Sequence, residues 1–396
     1  MTLARGIGTF LPVMNSKQQL LALQADFGAL PVSEVIGILQ FLQEKEIFSK
    51  LTGISVLFRV ANPVLVPADI DTRLPLARLL LSVPAKSAED KEAQTRLKYF
   101  SSHGARIVID DIEAYDSAIW EGAKKISADC SKDIPAHAKP LLIRLHGGNH
   151  IAQNLPNAAL QEQANEAGFK WFSGDYAFHP PVSNKAADAT ARTRLLKLLG
   201  LVARDAESRE LEELFKQDAT LSFMLFKLVS SAAFAQTVRV SSFGQAINLL
   251  GRRQLQRWLQ LLLYARQQDH HGGLNPLMPR AAFRAALMEA ICLKRGGNKD
   301  ELDCAFMVGM FSLLDILFGN PLIEVLQPLN LNSEVLSALL QKSGNLGKSL
   351  DLVEMADRPL KDFNPGLIEE LGLSADDYYE CVISAYAWVN QVCQDM

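Results

Sequence analysis

The stretch RLLLSVPAKSAEDKEAQTRLKYFSSHGARIVID, Arg78–Asp110, decides how the first half of the chain folds. Arg78–Val83 and Arg106–Asp110 are apolar runs of strand length. Between them, Ala88–Gly104 opens on acids, carries Leu97 and Phe100 at helical spacing and stops at a glycine. A buried strand, an amphipathic helix and a second buried strand make one unit of a parallel α/β sheet. Outward from it, ISVLFRV (Ile54–Val60) and PLLIRL (Pro140–Leu145) read as further strands. Residues 1–185 are therefore expected to form an α/β sheet or barrel.

The texture changes after Pro180-Pro181. VSNKAADATAR is small and polar, and residues 186–194 are read as a linker, although the run from Ala186 also suits the opening of a helix. Residues 195–396 carry helical stripes throughout, such as Leu211, Leu214 and Phe215, then Leu221, Leu225 and Val229, with Asp218 or Thr220 as cap. The second half is expected to be all-α.

Composition narrows the function classes. Of 396 residues, 48 % are hydrophobic and 21 % charged, an ordinary globular balance. A net charge of −4 gives no general reason for a nucleic-acid or anionic-membrane partner. No apolar run spans a bilayer, and MTLARGIGTFLPVMNS lacks a secretory pattern, so a cytoplasmic protein is the expectation. Five cysteines form no C-x-x-C pair and read as buried thiols. No histidine follows His271, which excludes multi-imidazole chemistry in the C-terminal stretch, and His270-His271 sits in a glycine-flanked loop.

The second half resembles the HDOD domain of bacterial signalling proteins. The likeness rests on Asp218 and Leu221, Ser231 and Ala232, then Val240, Ser242, Phe243, Ala246, Ile247, Leu250 and Gly251. CAFMVGMFSLLDILFG, Cys304–Gly319, is similar to a segment of proteins that join an EAL domain to an HDOD domain. The first half then resembles a degenerate EAL domain, a TIM-like barrel whose active members hydrolyse cyclic di-GMP. FLPVMNSKQQLLALQADFG (Phe10–Gly28) has the layout of the opening segment. RLKYFSSHGARIVIDDIE matches the central unit, and GFKWFSGDYAFHPP the closing one. Between Trp120 and Asn165 the chain is expected to lack a strand–helix unit, KDIPAHAKP standing in for a helix, so a regular eight-stranded barrel is not expected.

Two-cation phosphodiester hydrolysis needs several carboxylates to clamp the ions. The resemblance places Gln24 where the first Glu should stand, Ser82 at the second, Arg144 at a later one and Ser173 at the water-positioning Gln. Asn62 lies near the metal-binding Asn position but is displaced from it, and Gly28 replaces an Arg that helps bind ligand. Asp110-Asp111 survives at a strand end. It reads as a solvated or helix-capping pair, with Asp129 as one further carboxylate if a Mg²⁺ or Ca²⁺ site persists. In the second half, Ala285, Ser312 and Leu313 occupy the metal-binding positions of HD-type hydrolases, and Asp315 is left as a structural residue. Arg252, Arg253 and Arg257 in RRQLQRW are expected to be a solvated face and a contact patch for a partner.

The sequence thus reads as a degenerate TIM-like EAL barrel followed by an all-helical HDOD domain. The expectation is a non-catalytic scaffold acting through protein partners, without cofactor, metal, nucleic acid or membrane. A cyclic di-GMP receptor without hydrolysis is the second reading, and a residual phosphodiesterase the third.

Overall fold

The computed structural model describes residues 6–28, 30–67, 69–112, 122, 124–145, 148–180, 186–229, 242–265 and 274–395. Trp120, Pro181, Ser231, Ala232, Val240, His270 and His271 lie outside the described residues.

Eight strands close into a barrel in chain order. They are β1 (Thr9–Met14), β2 (Leu20–Asp26), β3 (Ser55–Arg59), β4 (Leu79–Pro84), β5 (Arg106–Asp110), β6 (Lys125–Asp129), β7 (Ile151–Gln153) and β8 (Trp171–Phe172). β1 runs antiparallel to both neighbours, whereas all other pairings are parallel. Helices α1 (Val32–Glu44), α2 (Lys91–Ser102), α3 (Ala138–Arg144) and α4 (Ala158–Ala167) cover the outside. Val13, Leu57, Leu80, Val108, Ile151 and Trp171 fill the interior.

The strand that the sequence reading missed is β6. Parallel strands usually announce themselves as continuous apolar runs. In KISAD, residue 125 pairs with Val108 and residue 127 with Ile151, both interior positions. The inward-facing residues are therefore Lys125, Ser127 and Asp129, and the apolar signal is absent. The missing strand–helix unit is present after all. Pro140–Leu145, expected as a strand, is instead most of α3. Pro140 sits in the helix's first turn, where its absent N–H costs nothing. Ala138, Leu141 and Leu142 are buried at helical spacing, while Ile143 is 59 % exposed.

The remaining described chain is helical, with no strand. It comprises α5 (Ala186–Ala203), α6 (Ser208–Lys216), α7 (Ala219–Val229), α8 (Phe243–Leu250), α9 (Arg252–Ala265), α10 (Leu277–Lys294), α11 (Lys299–Phe311), α12 (Ser333–Gln341), α13 (Gly344–Ala356) and α14 (Ala375–Asp395), with short turns between. The 186–194 segment read as a linker is the first half of α5. Asp218 caps α7, accepting from the Leu221 N–H at 2.9 Å. No helix among the described residues is long and apolar enough to cross a membrane.

The two halves share one contiguous apolar core. β1 meets β8 at a single residue pair, Met14 with Phe172. Along the chain leading into β1 and its first residues, hydroxyls of α14 take the free backbone groups. Tyr379 Oη accepts from the Gly8 N–H at 2.9 Å and donates to the Gly6 carbonyl at 2.7 Å. Tyr378 donates to the Gly8 carbonyl at 3.3 Å, and Tyr386 to the Phe10 carbonyl at 2.6 Å. A second contact lies just past the C-terminal end of β8. Arg280 and Arg284 of α10 both donate to Asp357, at 2.7 and 3.0 Å, and Arg280 also donates to the Gly174 carbonyl at 2.9 Å. Both guanidinium groups lie over the Phe178 ring, at 5.2 and 5.5 Å.

Removing one seam hydroxyl leaves one carbonyl unpaired, so Tyr386→Phe is expected to cost about 1 kcal/mol in chemical denaturation. Asp357 is 0 % exposed and pairs with two buried cations. Asp357→Ala is expected to cost more, about 3–5 kcal/mol, because the two guanidinium groups remain buried without it. Equal losses in the two variants would contradict the role assigned to the buried ion pairs.

Candidate functional site

The C-terminal ends of the strands open on a cavity of about 340 Å³, lined among others by Gln24, Asp26, Arg59, Ser82, Asp110 and Gln153. This is the end of a TIM-like barrel at which loops carry reactive groups. Its polar groups are largely bonded to one another. Ser82 Oγ donates to Asp110 Oδ2 at 3.1 Å, and Ser173 Oγ donates to Gln24 Oε1 at 3.1 Å. Gln24, Ser82, Asp110 and Ser173 thus lie together at this end of the barrel, as two bonded pairs.

In the Asp110-Asp111 pair only Asp111 is exposed, and neither residue caps a described helix. Asp110 is buried and also accepts from the Asp111 N–H at 2.9 Å. Asp111 takes a left-handed backbone, φ 49°, and its carboxylate pairs with the Arg59 guanidinium. Asp26 is engaged too. One oxygen accepts from the Gly28 N–H at 3.1 Å, the other from the Leu360 N–H of the helical half at 3.0 Å.

Arg144 is misplaced in the sequence reading. It ends α3 and lines a different cavity with Arg106, Lys125 and Trp171, the first residues of β5, β6 and β8. That is the opposite end of the barrel. The strand before β8 is β7, and its last residue, Gln153, lines the mouth in Arg144's stead. The strand's three-residue length hides it from a pattern search, although the Gln153-Asn154 pair closely precedes the recognised closing segment. Asn62 caps a short turn by accepting from the Val64 N–H at 3.0 Å. Asp129 is held by Asn154 Nδ2 at 3.0 Å and by Ser131 Oγ at 3.1 Å.

Among the described residues, the mouth presents amides, a hydroxyl, two carboxylates and one guanidinium, with no imidazole in its lining. The acids nearest a cation-binding arrangement are Asp26 and Asp110, each already accepting two hydrogen bonds. Among the described residues, no group of three or more His, Cys, Asp or Glu is placed to hold a metal ion.

In the helical half, Ala285 and Ser312 lie at a packed helix contact. A Cβ on Gly309 of α11 would lie 2.5 Å from the Ala285 Cα, so the two helices touch through backbone. Ser312 Oγ donates to the Gly309 carbonyl at 2.8 Å and accepts from Arg284 Nη1 at 3.2 Å. Leu313 is buried. Asp315 leaves Oδ1 buried without a partner.

The arginine patch is not a solvated face. Arg253 pairs with Asp303 at 2.6 Å, Arg257 with Glu289 and with Asp303 at 3.2 Å, and Arg252 lies 3.6 Å from Asp205. Arg257 also covers the Phe306 ring at 4.5 Å. These three residues tie α9 to its neighbours, so charge reversal there would disturb the fold itself.

Comparison with known proteins fits this division. Residues 189–322 match the HDOD domain. The chain is 25 % identical over 246 residues to the uncharacterized protein YuxH of Bacillus subtilis, covering 61 % of this chain and 59 % of that protein. It is 26 % identical over 245 residues to the cyclic di-GMP phosphodiesterase CdgJ of Vibrio cholerae, covering 61 % of this chain and 56 % of that one. The chain therefore spans less than two thirds of either relative. Among solved structures it is similar to the EAL domain of Mycobacterium smegmatis DcpA, at 13 % identity and TM-score 0.35, covering 42 % of this chain and 89 % of that one. It is likewise similar to the Xanthomonas citri FimX EAL domain in complex with c-diGMP, at 16 % identity and TM-score 0.35, covering 45 % and 90 %.

Proposed function

We propose that this chain is a regulator in cyclic di-GMP signalling that works through protein contacts and does not hydrolyse the dinucleotide. The link to that signalling rests on the HDOD match and on the similarity to the Vibrio protein named as a cyclic di-GMP phosphodiesterase. The observation that carries the non-catalytic reading is the chemistry of the barrel mouth. Gln24, Ser82, Gln153 and Ser173 are neutral, and two of these pair with each other across the opening. Hydrolysis assisted by two metals depends on anionic ligands that clamp both cations and on an activated water. Neutral amides and hydroxyls supply neither. The packed Ala285–Gly309 contact and the bonded Ser312 support the same reading for the helical half.

A non-hydrolysing receptor is the second reading, favoured by one feature. The mouth remains a cavity, and a guanidinium from Arg59 lines it. Guanidinium groups recognise phosphate through paired hydrogen bonds.

Full-length protein incubated with cyclic di-GMP and Mg²⁺ or Mn²⁺ is expected to yield no linear dinucleotide above background by chromatography. Product formed by the wild type and lost in Asp110→Asn would overturn the non-catalytic reading. Calorimetric titration with cyclic di-GMP separates the remaining two, since saturable micromolar binding promotes the receptor over the scaffold.

A further inference from the structure

We propose that the segment Pro359–Phe363 of the helical half is a latch on the barrel mouth. It is held by the Asp26 carboxylate and released by a mouth ligand that donates hydrogen bonds to that carboxylate. The latch goes beyond both readings above, because it says how the state of the mouth reaches the helical surface.

The segment is fixed at both ends and meets the barrel between them. Upstream lies Asp357, buried with Arg280 and Arg284. Downstream, the Phe363 ring packs edge-on against Tyr378 of α14, at 5.6 Å between centroids. Leu360–Asp362 forms one short turn, closed by the Phe363 N–H donating to the Leu360 carbonyl at 2.9 Å. The first amide of such a turn has no acceptor inside it. Here it donates to Asp26 Oδ2 at 3.0 Å. Leu360 also packs on the mouth, since a Cβ on Gly28 would lie 3.1 Å from its Cδ2. Arg358 reaches the Phe178 ring, at 5.8 Å.

Asp26 and Gly28 belong to the lining of the mouth cavity, so the contact that fastens the latch is part of the site. A carboxylate only accepts, and both Asp26 oxygens are occupied. The bond from the Gly28 N–H closes a turn two residues on, within the loop that follows β2, and forms whatever the helical half does. The bond from Leu360 depends on the docking of a segment 334 residues along the chain. It is the one that an entering N–H or O–H donor displaces, and the three-residue turn then loses its tie to the barrel. A ligand shifts such an equilibrium only through a contact it makes in the released state. The freed Asp26 oxygen is that contact.

The test is hydrogen exchange of the full chain, read by mass spectrometry in the wild type, Leu360→Pro and Asp26→Asn. Leu360→Pro deletes the amide at a position that suits proline: Pro359 already has ψ 148°, and residue 360 opens the turn. Asp26→Asn keeps the size of the side chain but offers one acceptor oxygen to two donors. Each substitution is expected to speed exchange about tenfold in both segments, 20–28 and 357–365, because coupling is reciprocal. If Leu360→Pro melts the fold, Asp26→Asn gives the same reading from the barrel side. Exchange that rises only in the substituted segment, or in neither, overturns the proposal.

Cyclic di-GMP, whose guanine bases carry N–H donors, is the probe for release. At saturation it is expected to speed exchange in 357–365, and Leu360→Pro is expected to bind it about tenfold more tightly. Binding that leaves 357–365 unchanged overturns the latch. Absence of binding removes the receptor reading alone, and the paired exchange of the two variants still decides the latch.

Discussion

The closure of the barrel between β1 and β8 is the constraint on which the rest of the structure depends. A two-residue β8 reaches β1 at one residue pair. An open edge of this kind presents backbone groups that must find partners once water is excluded. The last helix supplies them through Tyr378, Tyr379 and Tyr386, and its rings fill the same space, Phe283 stacking on Tyr386 at 4.2 Å. The barrel is therefore finished by residues near the far end of the chain. This is also why the apolar core runs without a break from Phe10 and Phe27 to Phe283 and Tyr386.

The second contact between the halves works by charge. Burying one arginine costs several kcal/mol of lost hydration, and two adjacent guanidinium groups would also repel one another. Asp357 answers both at once, and Glu354 adds a second carboxylate to Arg284 at 3.3 Å. Because Arg280 also holds the Gly174 carbonyl and Leu360 holds Asp26, both contacts reach the loops around the barrel mouth. A displacement of the helical half would have to break these bonds, so mouth and helices are mechanically linked.

What was legible in the sequence follows from where side chains point. β3, β4 and β5 were readable because Val56, Leu57, Leu80, Leu81, Val108 and Ile109 are apolar on both faces. β6 was not, because its inward face is Lys125, Ser127 and Asp129. LLIRL failed for the opposite reason, since a short apolar run fits a strand or a helix until its buried spacing is known. Gln24, Ser82 and Asp110 line the mouth and Ser173 bonds to Gln24, all on segments well marked in the sequence, whereas Arg144 inherited the error in α3 and concealed Gln153. The arginine patch is half-buried and not freely solvated because Asp303 and Glu289, far along the chain, pair with it.

The two ends of the barrel differ in a way that neither composition nor net charge reveals. At the mouth, every carboxylate in the lining has hydrogen-bond donors and its guanidinium has an acid. Such a set is internally satisfied and resembles a buried polar network kept for specificity of packing. At the opposite end, Arg106, Lys124, Lys125 and Arg144 line a larger cavity in which no described residue is a carboxylate. The end where such barrels ordinarily do their chemistry is thus the one whose polar groups are satisfied among themselves and tied to the helical half, through the Gly174 carbonyl and Asp26.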